Sequence, residues 1–204
     1  MTATAAFDAE AWDSIAAANL SDVIGRVGAM DGGIRRLSGR RMAGPAHTVV
    51  TGTGDSSTIH RALVHAQPGS VLVVDAQGGT ARAVWGAVMT AAAMARGIVG
   101  VVIDGAVRDI DEVAATGLSV YARATCPAGP HKGFRGAHGV PIQCGGVVVN
   151  PGDVVVGDAD GVTVVPALQA EAALAAVARV ISAEREWMDR IRAGESTADI
   201  LGLE

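Results

Sequence analysis

The chain has 204 residues, half of them hydrophobic and 18% charged, with a formal net charge of −5. This length is typical of one domain with a substantial core, and the composition argues against disorder. The basic residues form no run and aromatics make up only 3%. The sequence therefore lacks the basic patch with interleaved aromatics that nucleic-acid binding requires.

The N-terminal segment and the cysteines bear on where the protein works. The segment MTATAAFDAEAWDS carries acids and no basic residue, so we predict no secretory signal. No apolar run reaches the ~20 residues of a membrane span. Cys126 and Cys144 show no CxxC spacing, which favours two buried free thiols over a metal or redox role. We expect a soluble cytoplasmic protein that contacts neither membrane nor nucleic acid.

Helices and strands are predicted to alternate in the first half of the chain. A helix over 8–19 precedes a short helix capped by Ser21 or Asp22. The segment 44–54 reads as a strand, and Asp55 or Ser56 is expected to cap a helix over 55–66. Four further elements complete this half: a Pro-Gly turn leading into a fully buried strand within 67–76, a loop over 77–86, a helix over 87–97 with Gly97 at its C-cap, and a strand over 99–103.

The predicted secondary structure changes in the second half of the chain. The strand 99–103 is expected to turn at Asp104-Gly105 and to lead into a helix over 109–116 that Gly117 ends. Short Val-rich strands follow from residue 118, separated by PG, GD and DG turns. One long helix is predicted over 166–193. The pattern predicts an α/β fold with a mixed sheet flanked by helices, in a single domain 1–204.

Charged residues follow the apolar run in VVIDGAVRD. They are Asp104, Arg108 and Asp109, at the carboxyl end of a predicted strand, where open α/β sheets bind ligands. Upstream, a helix is predicted to open near Gly86. Its first N–H groups would point outward with the positive end of the helix dipole behind them, those of Gly86, Ala87, Val88 and Met89.

These residue types suit a small anionic ligand next to a cation. Free amides and the Arg108 guanidinium can hold a carboxylate, because guanidinium can bind two oxygens at once. Asp109 offers a hard oxygen ligand for Mg²⁺ or Mn²⁺. The spacing alone is also compatible with a structural role, in which Asp109 caps a helix and Arg108 pairs with a surface acid.

Several longer stretches carry a resemblance to a known family. They are GPAHTVV, PGSVLVVDA, ARGIVGVVIDGAVRDIDE and PGDVVVGDADGVTVVP. Over about residues 18–170 the chain resembles the family of the regulator of ribonuclease E activity A (RraA). That family also contains the 4-hydroxy-4-methyl-2-oxoglutarate/4-carboxy-4-hydroxy-2-oxoadipate aldolases. The resemblance implies a swivelling β/β/α fold assembled as a homotrimer or homohexamer, with the C-terminal helix and tail, 166–204, at the subunit interface.

The resemblance also implies an activity and a site. The activity is the metal-dependent cleavage of a 4-hydroxy-2-oxo diacid to release pyruvate, with oxaloacetate decarboxylation through the same pyruvate enolate. The amides of Gly86, Ala87, Val88 and Met89 would hold the pyruvyl carboxylate. Arg108 would contact the substrate and act in catalysis, and Asp109 would bind a divalent cation, Mg²⁺ or Mn²⁺, partly through water.

One departure from the aldolase pattern bears on the activity. The aldolases have an Asp, then twenty residues, then Arg-Asp, and here the first of these positions is Ala87. The backbone amide survives this change but the carboxylate does not. Asp104, Asp111, or the partner subunit's Glu184 or the partner subunit's Glu186, could compensate. The alternative is a non-catalytic regulator of the ribonuclease E type.

Other candidate groups receive structural interpretations at this point. Lys132 is the only lysine and lies in a Gly/Pro-rich turn far along the sequence, so a lysine-imine aldolase is not expected. His47 and His60 are interpreted as structural, so no general base is assigned. Trp85 is interpreted as a wall of the pocket.

Overall fold

The computed structural model describes residues 7–203. Residues 1–6 and Glu204, which the predicted domain 1–204 includes, lie outside the described residues. The helices are α1 Ala9–Asp13, α2 Ala17–Val23, α3 Ser57–His65, α4 Ala87–Ala95, α5 Ile110–Thr116, α6 Ala170–Arg192 and α7 Thr197–Leu201. The strands are β1 Arg35–Ser38, β2 Met42–Val50, β3 Val71–Trp85, β4 Gly100–Val107, β5 Ser119–Thr125, β6 Ala137–His138, β7 Ile142–Cys144, β8 Val147–Val149, β9 Val154–Gly157 and β10 Val162–Val165.

The main sheet is mixed, as predicted. Its strand order is β1-β5-β4-β3-β2-β9-β10, with β6 paired to β2. The central strands β2, β3, β4 and β5 run parallel, whereas β1, β6, β9 and β10 pair antiparallel. Strand β2 joins two parts of the sheet, because its first half pairs with β9 and its second half with β3. A separate hairpin, β7–β8, completes the strands.

Successive side chains of each strand face opposite sides, so strands and helices stack in four layers with a hydrophobic core between each pair. In β4, Val101 and Ile103 face a core shared with α3, α4 and α5, and Val102 faces the opposite core with β7, β8, β9 and β10. In β9, Val154 and Val156 turn outward to a third core with α1, α2 and α6. Helices therefore cover both outer faces. The fully buried character predicted for the strands at 67–76 and 99–103 is confirmed for Val71–Val74 and Val101–Ile103.

The first predicted helix, 8–19, is wrong, because the structure has two helices there. The chain leaves the helical conformation at Ala16, and the Ala17 backbone N–H donates to Asp158 Oδ2 at 2.9 Å, which starts α2. A carboxylate from a distant turn thus supplies the cap that the local sequence lacks. Ser21 and Asp22 lie within α2 and do not cap it.

The loop predicted over 77–86 is also wrong, because β3 continues to Trp85. Its pairing with β4 is irregular, and Gln77 and Gly78 adopt positive φ angles of 58° and 66°. Residues 76–78, between the paired Asp75 and Gly79, therefore form a bulge within the strand instead of ending it. The turn predicted at Asp104-Gly105 is wrong for a related reason, since β4 runs through this pair to Val107.

The C-terminal region begins with a 3₁₀ helix at Ala167–Gln169 and continues as α6, so the long helix predicted over 166–193 is confirmed apart from its first turn. Only Ala173 and Val177 of α6 are buried. Among the described residues no helix combines the length and the apolar character that a membrane crossing needs. Cys144 is buried as predicted, but Cys126 is only half-buried and donates through Sγ to the Ala81 carbonyl.

Candidate functional site

The extended β3 and β4 end side by side. Trp85 pairs with Val107, and the Arg108 backbone N–H donates to the Trp85 carbonyl at 3.0 Å. Gly86 follows β3 as the N-cap of α4, and Arg108 and Asp109 follow β4. Gly86 and Arg108, which lie 22 positions apart in the sequence, therefore meet at one edge of the sheet.

Asp109 closes over the start of α4. Its backbone is left-handed, with φ 57° and ψ 42°, a conformation that non-glycine residues adopt at a cost of ~1–2 kcal/mol. Its Oδ2 accepts a hydrogen bond from the Ala87 backbone N–H at 3.1 Å and lies 3.6 Å from Arg108 Nε. Its side chain makes no capping bond to α5 but caps the start of α4, so the helix-cap role considered above is present at α4.

The first turn of α4 is held rigidly. The Trp85 indole Nε1 donates to Thr90 Oγ1 at 2.8 Å, and the Thr90 hydroxyl donates to the Gly86 carbonyl at 3.1 Å, all in a buried environment. Gly86 is needed because a Cβ there would collide with Asp109 Oδ2 and lie 3.1 Å from Arg108 Cγ. Helix geometry leaves the Val88 and Met89 N–H groups without a partner inside the helix.

A second wall comes from residues 126–134, which fold back across the strand ends. The Ala83 N–H donates to the Ala128 carbonyl and the Cys126 N–H to the Val107 carbonyl. Farther along, the buried Asp55 carboxylate accepts bonds from the N–H groups of Gly133 at 2.9 Å and Phe134 at 3.2 Å. These bonds tie the segment to the start of α3.

The pKa values of two groups reflect this packing. Burial by itself would raise the pKa of Asp55, but hydrogen bonds from Ser57, Phe134 and Gly133 outweigh it, so the pKa lies below its usual value. The pKa of His60 is lowered, first by burial and then by the positive charge of Lys132, although Asp55 opposes the shift. Asp55 thus remains an anchoring carboxylate, and His60 lies close to Lys132.

The two walls enclose an open cleft of about 150 Å³, which is smaller than the sites of drug-sized ligands and suits a compact molecule. Five of the predicted site residues line it: Gly86, Val88, Met89, Arg108 and Asp109. Ala87 lies behind them, with its N–H on Asp109. Trp85 is a wall, as interpreted from the sequence. The structure thus brings the predicted residues together, and their roles stay predictions.

Three polar cleft residues were not assigned to the site from the sequence: Ser56, His60 and Lys132. Lys132 is far from the other site residues in the sequence, but the backbone bonds of residues 131–134 bring it to the start of α3 and into the lining of the cleft. The sequence signal was slight. It consisted of an Asp immediately before a helix and a Gly/Pro-rich turn with a lone lysine.

Comparison with known proteins bears on what this cleft is. The family model described as Aldolase/RraA, of the RraA-like group, matches residues 17–164. The chain belongs to the RraA-like family. An RraA-like relative from Halalkalibacterium halodurans, named "Putative 4-hydroxy-4-methyl-2-oxoglutarate aldolase", is 44% identical over 131 residues, 64% of this chain. The match spans 62% of that relative, which is less than two thirds of its length.

Solved structures confirm the predicted RraA-like fold. An uncharacterised protein from Pseudomonas syringae pv. tomato superposes with a TM-score of 0.84 at 29% identity, covering 96% of this chain and 93% of that one. The RNA-processing inhibitor RraA from Thermus thermophilis superposes with a TM-score of 0.69 at 30% identity, covering 75% of this chain and 93% of that one. The RraA-like family thus contains proteins named for an aldolase and for an inhibitor.

Within the RraA-like cleft, Asp109 is the one carboxylate among the lining residues. Across residues 7–203 no group of three or more His, Cys, Asp or Glu side chains has the arrangement of a metal site. A single carboxylate suits a hydrated Mg²⁺ or Mn²⁺, since Mg²⁺ keeps several waters and takes one or two protein carboxylates. The donor set fits a weakly held ion.

Asp104 is not part of the cleft, contrary to its predicted position. It lies within β4 and pairs through Oδ1 with Arg123 Nε at 2.5 Å, while Oδ2 accepts from the Gly145 N–H at 2.8 Å. These partners make Asp104 a structural acid, so it does not compensate for Ala87. Asp111 is exposed on α5 and does not line the cleft either.

Proposed function

We propose that the protein is a divalent-metal-dependent lyase. It cleaves a C–C bond of a 4-hydroxy-2-oxo diacid to release pyruvate, and it decarboxylates oxaloacetate at the same site. One observation carries this proposal: the positive end of α4, the Arg108 guanidinium and the Asp109 carboxylate meet in a single cleft. The name of the Halalkalibacterium relative points to the same reaction class.

The first step is the binding of the 2-oxo acid end. The N–H groups of Val88 and Met89 would donate hydrogen bonds to the C1 carboxylate at the N-terminus of α4, where the helix dipole also favours an anion. Arg108 is 43% exposed at its side chain and faces the same space, so it can contact the 2-oxo oxygen. Asp109 would hold the cation beside both groups.

The second step is the breaking of the C3–C4 bond. In the aldol cleavage the 4-hydroxyl loses its proton, the bonding pair moves to C3, and the pyruvate enolate forms and is protonated. Arg108 would stabilise the negative charge that develops on the 2-oxo oxygen. The divalent cation, when bound, supplies Lewis-acid polarisation of that oxygen. In oxaloacetate the same bond releases CO₂ and leaves the same enolate.

The proposed assembly is a homotrimer or homohexamer in the cytoplasm. Exposed apolar side chains on the C-terminal helices support an interface there, namely Trp187, Met188, Ile191 and Leu201. Light scattering on the purified protein tests the assembly, and a mass of one chain would contradict it.

A second candidate function is a non-catalytic regulator of the RraA type. The observation that favours it is Ala87, which supplies no carboxylate and whose N–H is already bonded to Asp109. The Thermus neighbour is named as an RNA-processing inhibitor. Under this alternative the cleft is a former active site that no longer catalyses a reaction.

The deciding experiment measures pyruvate release from oxaloacetate and from 4-hydroxy-4-methyl-2-oxoglutarate, with and without Mg²⁺ or Mn²⁺. We expect metal-dependent release that Arg108→Ala lowers by roughly a hundredfold or more, the usual cost of removing one donor to a developing oxyanion. Arg96→Ala is the matched control, because Arg96 bonds the Val64 carbonyl and does not line the cleft. If the wild type releases no pyruvate but Ala87→Asp does, the cleft is a former active site and the regulator is supported instead.

A further inference from the structure

Thr90 is the single polar residue of α4. The helix reads AVMTAAAMA, and Thr90 lies on its buried face together with Met89 and Ala93. Its side chain is fully buried. Threonine favours a helix less than alanine does, so alanine at this position would suit the helix alone better. The hydroxyl therefore matters for what it contacts.

The Thr90 hydroxyl uses both of its hydrogen-bonding functions. It accepts a bond from the Trp85 indole Nε1 at 2.8 Å and donates one to the Gly86 carbonyl at 3.1 Å. The Thr90 backbone N–H donates to the same carbonyl at 3.0 Å, so Gly86 has a partner without the hydroxyl. A buried indole N–H needs an acceptor, and Thr90 Oγ1 is the acceptor that the described residues give it.

Trp85 and Gly86 connect Thr90 to both parts of the proposed 2-oxo acid site. The Trp85 carbonyl accepts a bond from the Arg108 backbone N–H at 3.0 Å. Gly86 is the N-cap of α4, from which the N–H groups that face the cleft begin. One buried hydroxyl thus contacts the residue that holds the Arg108 backbone and the residue that begins the helix.

Little space separates Gly86 from the charged residues of the cleft. A Cβ on Gly86 would lie 3.1 Å from Arg108 Cγ and would collide with Asp109 Oδ2. A small shift of Gly86 toward β4 would therefore displace the guanidinium or the carboxylate. Misplacing a reacting group by about 1 Å can lower a rate about 10²-fold. Thr90 does not line the cleft, yet it fixes the residues that set this geometry.

We propose that Thr90 is a positioning residue of the cleft. Its hydroxyl fixes the first turn of α4 relative to Arg108, through the Trp85 indole and the Gly86 carbonyl. This inference rests on the proposed function, in which the N–H groups of α4 and Arg108 bind the 2-oxo acid end. Since Thr90 contacts neither the substrate nor the cation, its effect passes through these neighbours.

Replacing the hydroxyl by a methyl group tests the role. We expect Thr90→Val to lower kcat/KM for oxaloacetate about tenfold or more, because the groups that bind the developing enolate are misplaced. Oxalate, a planar analogue of the pyruvate enolate, should bind about tenfold more weakly when titrated calorimetrically in the presence of Mg²⁺. Thr90→Ser keeps the hydroxyl, so it should restore both quantities to within about threefold of the wild type.

Thr163→Val is the matched control for lost stability. Thr163 is also a buried threonine, and its Oγ1 donates to the Ala17 carbonyl at 3.0 Å, away from the cleft. Its loss should lower the Tm to a similar degree, since each valine removes one buried hydrogen-bonding hydroxyl. Oxalate affinity and kcat/KM of Thr163→Val should equal those of the wild type.

The Trp85 indole gives a spectroscopic signature that does not depend on turnover. The chain has three tryptophans, so their indole N–H signals can be separated in a nitrogen-edited NMR spectrum, and Trp85→Phe identifies the signal of Trp85. In Thr90→Val this signal should move upfield, because its hydrogen bond is lost. In Thr90→Ser it should remain close to its wild-type position.

The outcomes separate the positioning role from the proposed function. If Thr90→Val moves the indole signal but keeps the oxalate affinity and kcat/KM, the positioning role is overturned and the lyase stands. Equal losses in Thr163→Val would also overturn it, since general destabilisation would explain them. If the wild type binds oxalate but releases no pyruvate, the lyase is overturned, and the oxalate affinities still decide the role of Thr90. If the wild type does neither, both proposals are overturned.

Discussion

The Asp109 carboxylate accepts a hydrogen bond from the Ala87 backbone N–H at 3.1 Å. The acid proposed to hold the cation therefore occupies one of the amides predicted to hold the substrate carboxylate. The prediction that all four N–H groups from Gly86 to Met89 are free is wrong at Ala87. It follows that the Ala87 N–H and a cation compete for the Asp109 carboxylate unless each binds a different one of its two oxygens.

Removing the charge at this position tests its role. Asp109→Asn keeps a residue type that tolerates the left-handed conformation but loses the anionic ligand. We expect metal-dependent pyruvate release to fall by roughly a hundredfold, since the Lewis acid contributes several kcal/mol. Mn²⁺ binding, followed by electron paramagnetic resonance, should weaken in parallel.

The matched control for this variant is Asp111→Asn. Asp111 lies two residues away in the first turn of α5, is exposed, and does not line the cleft. Its activity and Mn²⁺ affinity should equal those of the wild type. Equal losses in both variants would mean that general charge, and not ligation by Asp109, matters.

A methyl group at position 86 should disable the cleft without unfolding the protein. The backbone of Gly86 is extended, with φ −172°, so alanine fits the conformation, but its Cβ would collide with Asp109 Oδ2. We expect Gly86→Ala to lower pyruvate release at least about tenfold, because misplacing catalytic groups by an ångström is costly. Gly32→Ala, where a Cβ meets nothing within 4 Å, should be neutral in the same assay. Loss of the thermal unfolding transition in Gly86→Ala would contradict this account.

The sequence predicted the parts of the fold that depend on periodicity. The apolar runs Val71–Val74 and Val101–Ile103 become buried strands, and the Arg108-Asp109 pair lies at a strand end as expected. It did not predict that β3 would continue through Gly78 and Gly79. Local rules treat such glycines as breaks, and only pairing with β4 shows that the strand continues past a bulge at residues 76–78.

The sequence did not predict the cleft wall formed by residues 126–134, for a different physical reason. Lys132 reaches Ser56 through backbone hydrogen bonds of residues 131–134, and backbone bonds leave no pattern in the side chains. The Asp55 carboxylate that fixes this segment looks, in the sequence, like an ordinary helix cap. Tertiary contacts of this kind lie beyond reasoning about neighbours along the chain.

The position of Lys132 in the cleft makes an imine mechanism testable. A Schiff-base lysine is activated by an apolar, desolvated pocket, whereas Lys132 is exposed. We therefore expect borohydride with pyruvate to leave the protein unmodified, as measured by intact mass. Because this is the only lysine, an adduct on a side chain would identify it at once and would replace the metal mechanism.

Stability should depend on pH through His47. Its Nε2 is buried and, within residues 7–203, without a partner, and its ring stacks on His138 with 5.6 Å between centroids. His138 in turn stacks on His65 at 5.1 Å. The pKa of His47 is lowered, first by burial and then by repulsion from His138 and His65. The folded state therefore resists protonation of a group that the unfolded chain protonates freely.

The sign of the effect follows from proton linkage. Below the unfolded value of about 6.5 and above the lowered pKa of the folded state, the unfolded chain binds more protons, so stability rises with pH. The free energy of unfolding should thus have its full value above about pH 6.5 and fall by up to ~1 kcal/mol per pH unit below it.

His47→Leu should reduce this slope in urea titrations between about pH 7.5 and about pH 5.5. His60, whose pKa is also lowered, contributes in the same direction, so part of the slope should remain. His131→Gln, an exposed control, should keep the wild-type slope, and a His47→Leu profile parallel to the wild type would show that the stacked histidines carry no such linkage.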